Sequence, residues 1–217
     1  MQNLHPIPMP SVCDSAKYIY KKSSYAAIFE VLQSLRDDEV LCDIKLETED
    51  GGVVIAHKVV LASGSQYFHS MFTHFKEKNQ DLVVIRELSS TALKLLVNFI
   101  YSGEIVVTEN NVQVLLPATN LLQLQEVKNA CCDFLQKQLL PTICLGINAL
   151  ADLHSCPKLL KTSELYIQRH FLEVVEKDEF LSLSSERVIK FISSDLLTVP
   201  SEEKVNITYL RHYISIH

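Results

Sequence analysis

The chain has 217 residues, 47% of them hydrophobic, with a formal net charge of −6 and a pI near 5.7. This length and composition predict a packed globular protein with one good core or two small ones, and the acidic balance lacks the basic stripe that binds phosphates, so we expect protein partners and no nucleic acid. No apolar run reaches the roughly 18 residues of a membrane span and residues 1–10 lack the pattern of a signal peptide, which favours a cytoplasmic location, with the nucleus as the alternative, and no membrane partner.

The cysteines are expected to be reduced thiols. They do not form the C-x-x-C pairs of a zinc module, and nothing in the sequence points to an oxidising compartment. Adjacent cysteines on a helix project about 100° apart, so Cys131 and Cys132 could not easily bind one metal ion together with His154. We therefore expect core packing, no metal site and no cofactor. The six positions are Cys13, Cys42, Cys131, Cys132, Cys144 and Cys156.

The beginning of the chain changes character at residue 23. Residues 1–22 are proline-rich and show no sustained hydrophobic period, which predicts a disordered segment. From residue 23 to about residue 35, apolar residues on more than one side predict a helix, and such a helix requires more than one surface to pack on. Its apolar residues are Ala26, Ala27, Phe29, Val31, Leu32 and Leu35.

A β-hairpin is predicted next. Residues 41–47 alternate between apolar and polar, which indicates a half-buried strand, residues 49–52 are a turn signal, and residues 53–55 return as the second strand. Asp43 lies within the apolar run. If it is buried, it requires a Lys, an Arg or a backbone amide as its partner, and a solvated Asp43 is the alternative.

Residues 54–72 lead from this strand into two helical segments that Gly64 and Ser65 separate. The neighbouring His57 is expected to be packed and hydrogen-bonded, and neither a metal ligand nor a catalytic base. No nucleophile elbow, zinc-protease motif or phosphate loop occurs in the chain, so we do not expect an enzyme. The second segment places four apolar side chains on one helix face: Tyr67, Phe68, Met71 and Phe72.

A third strand over residues 81–86 and a helix that runs to about Tyr101 follow. Ser89 or Ser90 caps this helix, and Gly103 is the expected stop.

Further elements complete the first part of the chain. Residues 105–107 predict a short strand, and Asn110 and Asn111 open a helix in which Pro117 should cause a kink. Residues 123–138 predict the last helix of this part.

Pro141 marks a boundary, because strand signals vanish after it. The second segment is therefore predicted to be all-helical.

Two phrases carry a family resemblance. Residues 56–72 read A-H-K-x-V-L-A-x-x-S-x-Y-F-x-x-M-F, and residues 99–105 read F-I-Y-S-G-E-I; both resemble the BTB domain of kelch-like proteins, in particular the insect ring canal kelch and diablo types. Residues 144–156 resemble the first helix of the BACK domain that follows BTB in that family, and the resemblance implies its second helix over residues 164–171 and its third helix and turn over residues 179–199. The resemblance implies an α+β fold, namely a BTB/POZ domain with a small sheet and surrounding helices over residues 23–140, a partial all-helical BACK domain over residues 141–205, and a divergent tail over residues 206–217.

The resemblance also implies partners and their contact residues. Kelch-like BTB domains homodimerise and recruit the N-terminal region of cullin-3, so the chain is expected to be a substrate adaptor of a cullin-RING ubiquitin ligase. A BTB transcription-regulator subunit and an actin-linked cytoskeletal scaffold are the alternatives. The expected dimer contacts are Ala26, Phe29, Leu32, Leu35, Asp43 and Ala62. The expected cullin contacts are Met71, Phe75, Glu77, Asn110 and Asn111, with residues 139–170 flanking them.

In that family, kelch repeats bind the protein substrate, and this sequence has too few glycines for them. We therefore expect either a competitor that occupies cullin-3 without a substrate or an incomplete gene product. The shortened BACK segment is also expected to leave apolar surface uncovered, at Phe180, Leu183, Val188, Ile189 and Phe191.

Overall fold

The computed structural model describes residues 26–193, and the predictions for residues 1–22 and 206–217 lie outside this part of the chain. The described residues form a small three-stranded sheet with helices around it, followed by a helical segment, which is the predicted α+β architecture. Within these residues, no helix combines the length and the apolar character that crossing a membrane requires.

The sheet consists of a hairpin and one crossover strand. β1 (Ile44–Thr48) pairs antiparallel with β2 (Val53–Ala56), and β3 (Leu82–Ile85) pairs parallel with the other edge of β1. The hairpin turns at Gly51, whose φ of 80° suits glycine. The first strand begins later than the predicted residue 41, because Leu41 has a left-handed φ of 60°.

The crossover consists of α2 (Lys58–Gly64) and α3 (Gln66–Thr73), so the predicted break between two helical segments is confirmed. Ser65 makes the break with an extended backbone. Its hydroxyl donates to the Leu122 carbonyl at 2.7 Å and accepts from the Phe68 amide at 3.3 Å, so one side chain both caps α3 and ties it to a distant segment.

The helix α1 (Ala26–Asp37) packs against α4 (Ser90–Ser102), and both match their predictions. Ser89 is the N-cap of α4 and accepts from the Ala92 amide at 3.3 Å. Gly103 ends the helix with a φ of 72°, the left-handed conformation expected of a C-terminal glycine.

The predicted strand over residues 105–107 was wrong. The backbone of a strand must pair with a neighbouring strand. Here the Asn111 side chain bonds to the backbone of this segment instead: it donates to the Val106 carbonyl at 2.9 Å and accepts from the Thr108 amide at 2.8 Å. Ile105 and Val107 still pack against the core, so their apolar alternation reflects burial without strand pairing.

The first part of the fold closes with α5 (Val112–Leu121) and α6 (Gln125–Lys137). Pro117 lies inside α5, as expected. The helix α6 begins two residues later than the predicted residue 123, since Gln123 has a left-handed φ of 54°.

The second part is helical throughout its described residues, as predicted. Its second helix begins at Pro157, earlier than the predicted residue 164, because a proline fits the first turn of a helix, where no amide donor is required. Ser184 separates the last two helices, which were predicted as one. The helices are α7 (Cys144–Leu153), α8 (Pro157–Arg169), α9 (Phe171–Val174), α10 (Asp178–Leu181) and α11 (Ser185–Ile192).

The expectation of an uncovered apolar surface in this segment was wrong for four of five residues. Phe180, Val188 and Phe191 are buried and Leu183 is half-buried, whereas Ile189 is 47% exposed. The buried residues pack with Phe171 and its neighbours in a second core, in which the Phe171 and Phe180 rings meet edge to face.

Candidate functional site

The outward face of α1 exposes apolar side chains. Phe29 is 43% exposed, and Ile28 and Val31 are exposed beside it, whereas Leu32 packs against the core. Of the other predicted dimer residues, Leu35 and Ala62 are half-buried, and Ala26 starts the helix. We call Ile28, Phe29 and Val31 the α1 face.

Arg36 fixes the orientation of α1. Its guanidinium donates to the Ile55 carbonyl at 3.0 Å and to the Asn98 side chain at 2.9 Å, and it lies 4.9 Å from the centre of the Tyr101 ring. Burial lowers the pKa of Arg36, but the neighbouring Tyr101 and Asp37 act in the opposite direction. This anchor holds one side of the helix against the fold, so that the α1 face points outward.

His57 has the packed, hydrogen-bonded role that the sequence predicted. Its Nε2 lies 2.9 Å from the Val40 carbonyl and therefore donates, which leaves Nδ1 to accept from the Tyr101 hydroxyl at 2.7 Å. The same hydroxyl accepts from the His57 amide at 2.9 Å. Burial raises the pKa of Tyr101 to about 12. Both ring nitrogens are thus bonded within the chain.

Asp43 lies at the surface, and its partner is a backbone amide rather than a Lys or Arg side chain. Its carboxylate accepts from the Lys58 backbone amide at 2.7 Å, the first amide of α2. Since His57 gives α2 no side-chain cap, Asp43 performs that role from the preceding strand segment.

The most exposed aromatic residue of this half of the fold follows α3. Phe75 is 59% exposed and begins a 3₁₀ turn (Lys76–Asn79). Glu77 is half-buried, and its charge adds to burial in raising the pKa of Tyr67, which places the carboxylate near α3. Met71 is buried in the core, so its side chain is not exposed for a contact. We call Phe75 and Glu77 the Phe75 turn.

Lys58 holds the Phe75 turn in place. Its ammonium donates to the Lys78 carbonyl at 3.2 Å and lies 4.0 Å from the carboxylate of Asp81. It also lies 5.9 Å from the centre of the Phe72 ring on α3. A side chain exposed on a turn that is tied to two helices loses little conformational freedom on binding, which favours a contact role.

The two asparagines predicted as cullin contacts differ in their surroundings. Asn110 is exposed, whereas both ends of the Asn111 side-chain amide are bonded to the backbone of residues 106 and 108. Asn111 therefore shapes the loop, and Asn110 is the member of the pair that presents its side chain to solvent.

A groove of about 600 Å³ lies among α5, α6 and α7, and the sequence did not predict it. One residue in the sequence could have indicated the groove: Leu153 is apolar and stands at the end of a predicted helix. In the structure it is 75% exposed. The residues came from three separate elements, so no single periodic pattern revealed the groove. Its apolar lining includes Val112, Phe134, Leu135, Ile143, Ile147, Leu150 and Leu153.

In the range 26–193, no group of three His, Cys, Asp or Glu side chains could hold a metal ion. The cysteines in this range carry free thiols, and burial raises the pKa of Cys131 and Cys144 to about 11.

Two protein families match the chain. The family described as the BTB/POZ domain matches residues 32–139, and the family described as BTB And C-terminal Kelch matches residues 144–214. The second match extends past residue 205, where the sequence phrases indicated the end of the resemblance.

Curated relatives match across both regions. The chain is 51% identical over 178 residues to Kelch-like protein 2 of Mus musculus and equally identical over the same length to Kelch-like protein 3 of Homo sapiens; each match covers 82% of this chain and 30% of the relative. The chain therefore spans about a third of the length of these relatives. Among solved structures, the BTB domain of zebrafish PATZ1 is similar, with a TM-score of 0.50, 26% identity, and coverage of 56% of this chain and 99% of that domain.

Proposed function

The chain belongs to the kelch-like family of BTB and BACK domain proteins, and we propose that it is a non-catalytic, homodimeric adaptor subunit of a cullin-3 RING ubiquitin ligase, which binds the N-terminal region of cullin-3. The observation that carries this proposal is the Phe75 turn, which presents an aromatic side chain and a carboxylate two residues apart on an anchored support. The proposal concerns the part of the relatives that this chain spans.

The α1 face supports dimerisation. Its exposed apolar residues lie on a helix whose other side is fixed to the core by Arg36, so a second copy of the chain could cover them in an isologous contact. Leu41 and Val59 are also exposed, on two segments that the bond from His57 to the Val40 carbonyl joins. A contact of this kind buries a standard interface of roughly 800 Å² per partner.

Sedimentation of the purified chain tests the dimer. We expect a dimer at micromolar concentration, and we expect Phe29→Asp to shift it to monomer, because the new charge would be desolvated in the contact. Val84→Asp, at an exposed position on the sheet, is the matched control and should leave the dimer intact. A monomeric wild-type chain would contradict the dimer without affecting the cullin contact.

The Phe75 turn and the groove among α5, α6 and α7 together support the cullin contact. An exposed aromatic side chain beside a carboxylate is suited to fill an apolar pocket with a polar rim on a partner. The groove is suited to receive an apolar segment of the same partner, since most of its lining is aliphatic or aromatic.

Calorimetry with an N-terminal fragment of cullin-3 tests the contact. We expect Phe75→Ala to weaken binding by about 2 kcal/mol, or roughly thirtyfold, because it removes the anchor. Val106→Ala, at another strongly exposed apolar position, is the control and should bind as the wild type does. Equal affinities for Phe75→Ala and the wild type would place the contact elsewhere.

A further inference from the structure

A cleft of about 360 Å³ lies between α6 and the start of α8, and its lining residues include two cysteines, one from each element. Cys132 belongs to α6 and is half-buried, and Cys156 is the N-cap residue of α8 and is buried. The charged residues Lys128, Asp133 and Lys158 also line the cleft, so small polar molecules can enter it. The cleft is distinct from the α1 face, the Phe75 turn and the groove.

Bonds from α5 and α6 hold the turn that carries Cys156. The Asn120 side chain donates to the His154 carbonyl at 3.4 Å, and the Lys128 ammonium donates to the Ser155 carbonyl at 3.2 Å. Ser155 itself has a left-handed φ of 53°. Since Lys128 lies one helical turn before Cys132, the same helix that carries one thiol also fixes the position of the other.

The two cysteines share one part of the core. Cys156 is buried in it, and Cys132 packs against it. Burial raises the pKa of Cys132 to about 12, and the neighbouring Cys156 adds to that increase. Both cysteines are free in this structure, and the thiolate is the form that reacts with an oxidant.

We propose that Cys132 and Cys156 form a reversible disulfide bond in the presence of hydrogen peroxide, linking the last BTB helix to the second BACK helix. One thiolate attacks a peroxide oxygen, which breaks the O–O bond and gives a sulfenic acid and, after protonation, one water molecule. The second thiolate attacks the sulfenic sulfur, so that the S–S bond forms, the S–O bond breaks and a second water molecule leaves. Two thiols lose two electrons in total, and one peroxide molecule gains them.

The disulfide would lock two regions that noncovalent contacts alone now hold together. It closes a loop that contains the whole of α7, and a loop of this length is expected to stabilise the fold appreciably. Because α6 and α7 also line the groove, the lock would fix two of its walls. The chemistry of the thiol pair does not depend on the proposed cullin contact.

Peptide mapping of the full chain tests the proposal. After peroxide treatment and digestion with trypsin without reductant, we expect residues 129–137 to be linked to residues 138–158, with the mass lower by two hydrogen atoms and the link lost on reduction. Each peptide also contains a second cysteine, Cys131 or Cys144, so Cys131→Ser and Cys144→Ser are matched controls that should keep the link. Cys132→Ser and Cys156→Ser should each abolish it.

Thermal unfolding gives a second readout on the wild-type chain, which removes any dependence on the folding of the variants. We expect peroxide to raise Tm by about 5–10 °C and dithiothreitol to reverse the change. A link through Cys131 or Cys144 in the fragment spectra of the wild type, a link that persists in Cys132→Ser, or the absence of any link would each overturn the proposal.

Discussion

The two hydrophobic cores of the chain are built differently although they share helices. The first core joins the sheet, α2 to α6 and some residues of α7 and α8, and the second joins other residues of these two helices to α9, α10 and α11. Leu139 packs against both. Among the described residues the second core is the smaller one, so we expect it to depend on the packing of α7 and α8 against the first core.

This difference predicts that damage to the second core remains local. We expect Phe171→Ala to cost about 3–5 kcal/mol, because it removes a fully buried ring and its edge-to-face contact with Phe180. Native-state hydrogen exchange should show faster exchange in α8 to α11 and little change in the sheet. Ile189→Ala, at an exposed position of α11, is the control. Uniform loss of protection across the chain would show that the two cores unfold as one unit.

Damage to the first core, in contrast, is expected to lower the protection of both regions. Leu96 in α4 is fully buried, and Leu96→Ala should cost about 2–5 kcal/mol. Because α7 and α8 rest on this core, protection should fall in both regions together. Val84→Ala, on the exposed face of the sheet, should change the free energy of unfolding by less than about 0.5 kcal/mol. If α8 to α11 kept their protection in Leu96→Ala, the second core would be independent.

The sequence predicted the elements of both cores better than their connections. Local spacing and caps placed α1, α3 and α4, because a helix face and its capping serine are short-range signals. The parallel pairing of β3 with β1 joins residues that are distant in the chain, and so do the two bonds that the Ser90 amide and hydroxyl donate to the Asp50 carboxylate, both at 2.9 Å. No local pattern encodes such pairings.

The errors in the sequence predictions have two causes: a local bond from a side chain to the backbone, and tertiary packing. The segment over residues 105–107 has the composition of a strand, but Asn111 competes for its backbone groups. The apolar face of α11 looked uncovered because the sequence alone did not reveal that α8 and α9 would cover it. Within the candidate site, the family resemblance indicated Phe75 and Glu77, whereas the buried position of Met71 and the groove depended on tertiary packing.

Matched helix caps give the finest comparison of the two regions. Ser89 accepts from the Ala92 amide at 3.3 Å at the start of α4, and Ser184 accepts from the Arg187 amide at 3.4 Å at the start of α11. Replacing either by Ala leaves one amide without its partner and should cost about 1 kcal/mol. If the regions differ as their cores do, Ser89→Ala should lower the protection of the whole chain, and Ser184→Ala that of α11 alone. Ser89→Asp and Ser184→Asp retain an acceptor and should keep most of the stability that the Ala variants lose. Equal patterns of hydrogen exchange in the two Ala variants would contradict the distinction between the cores.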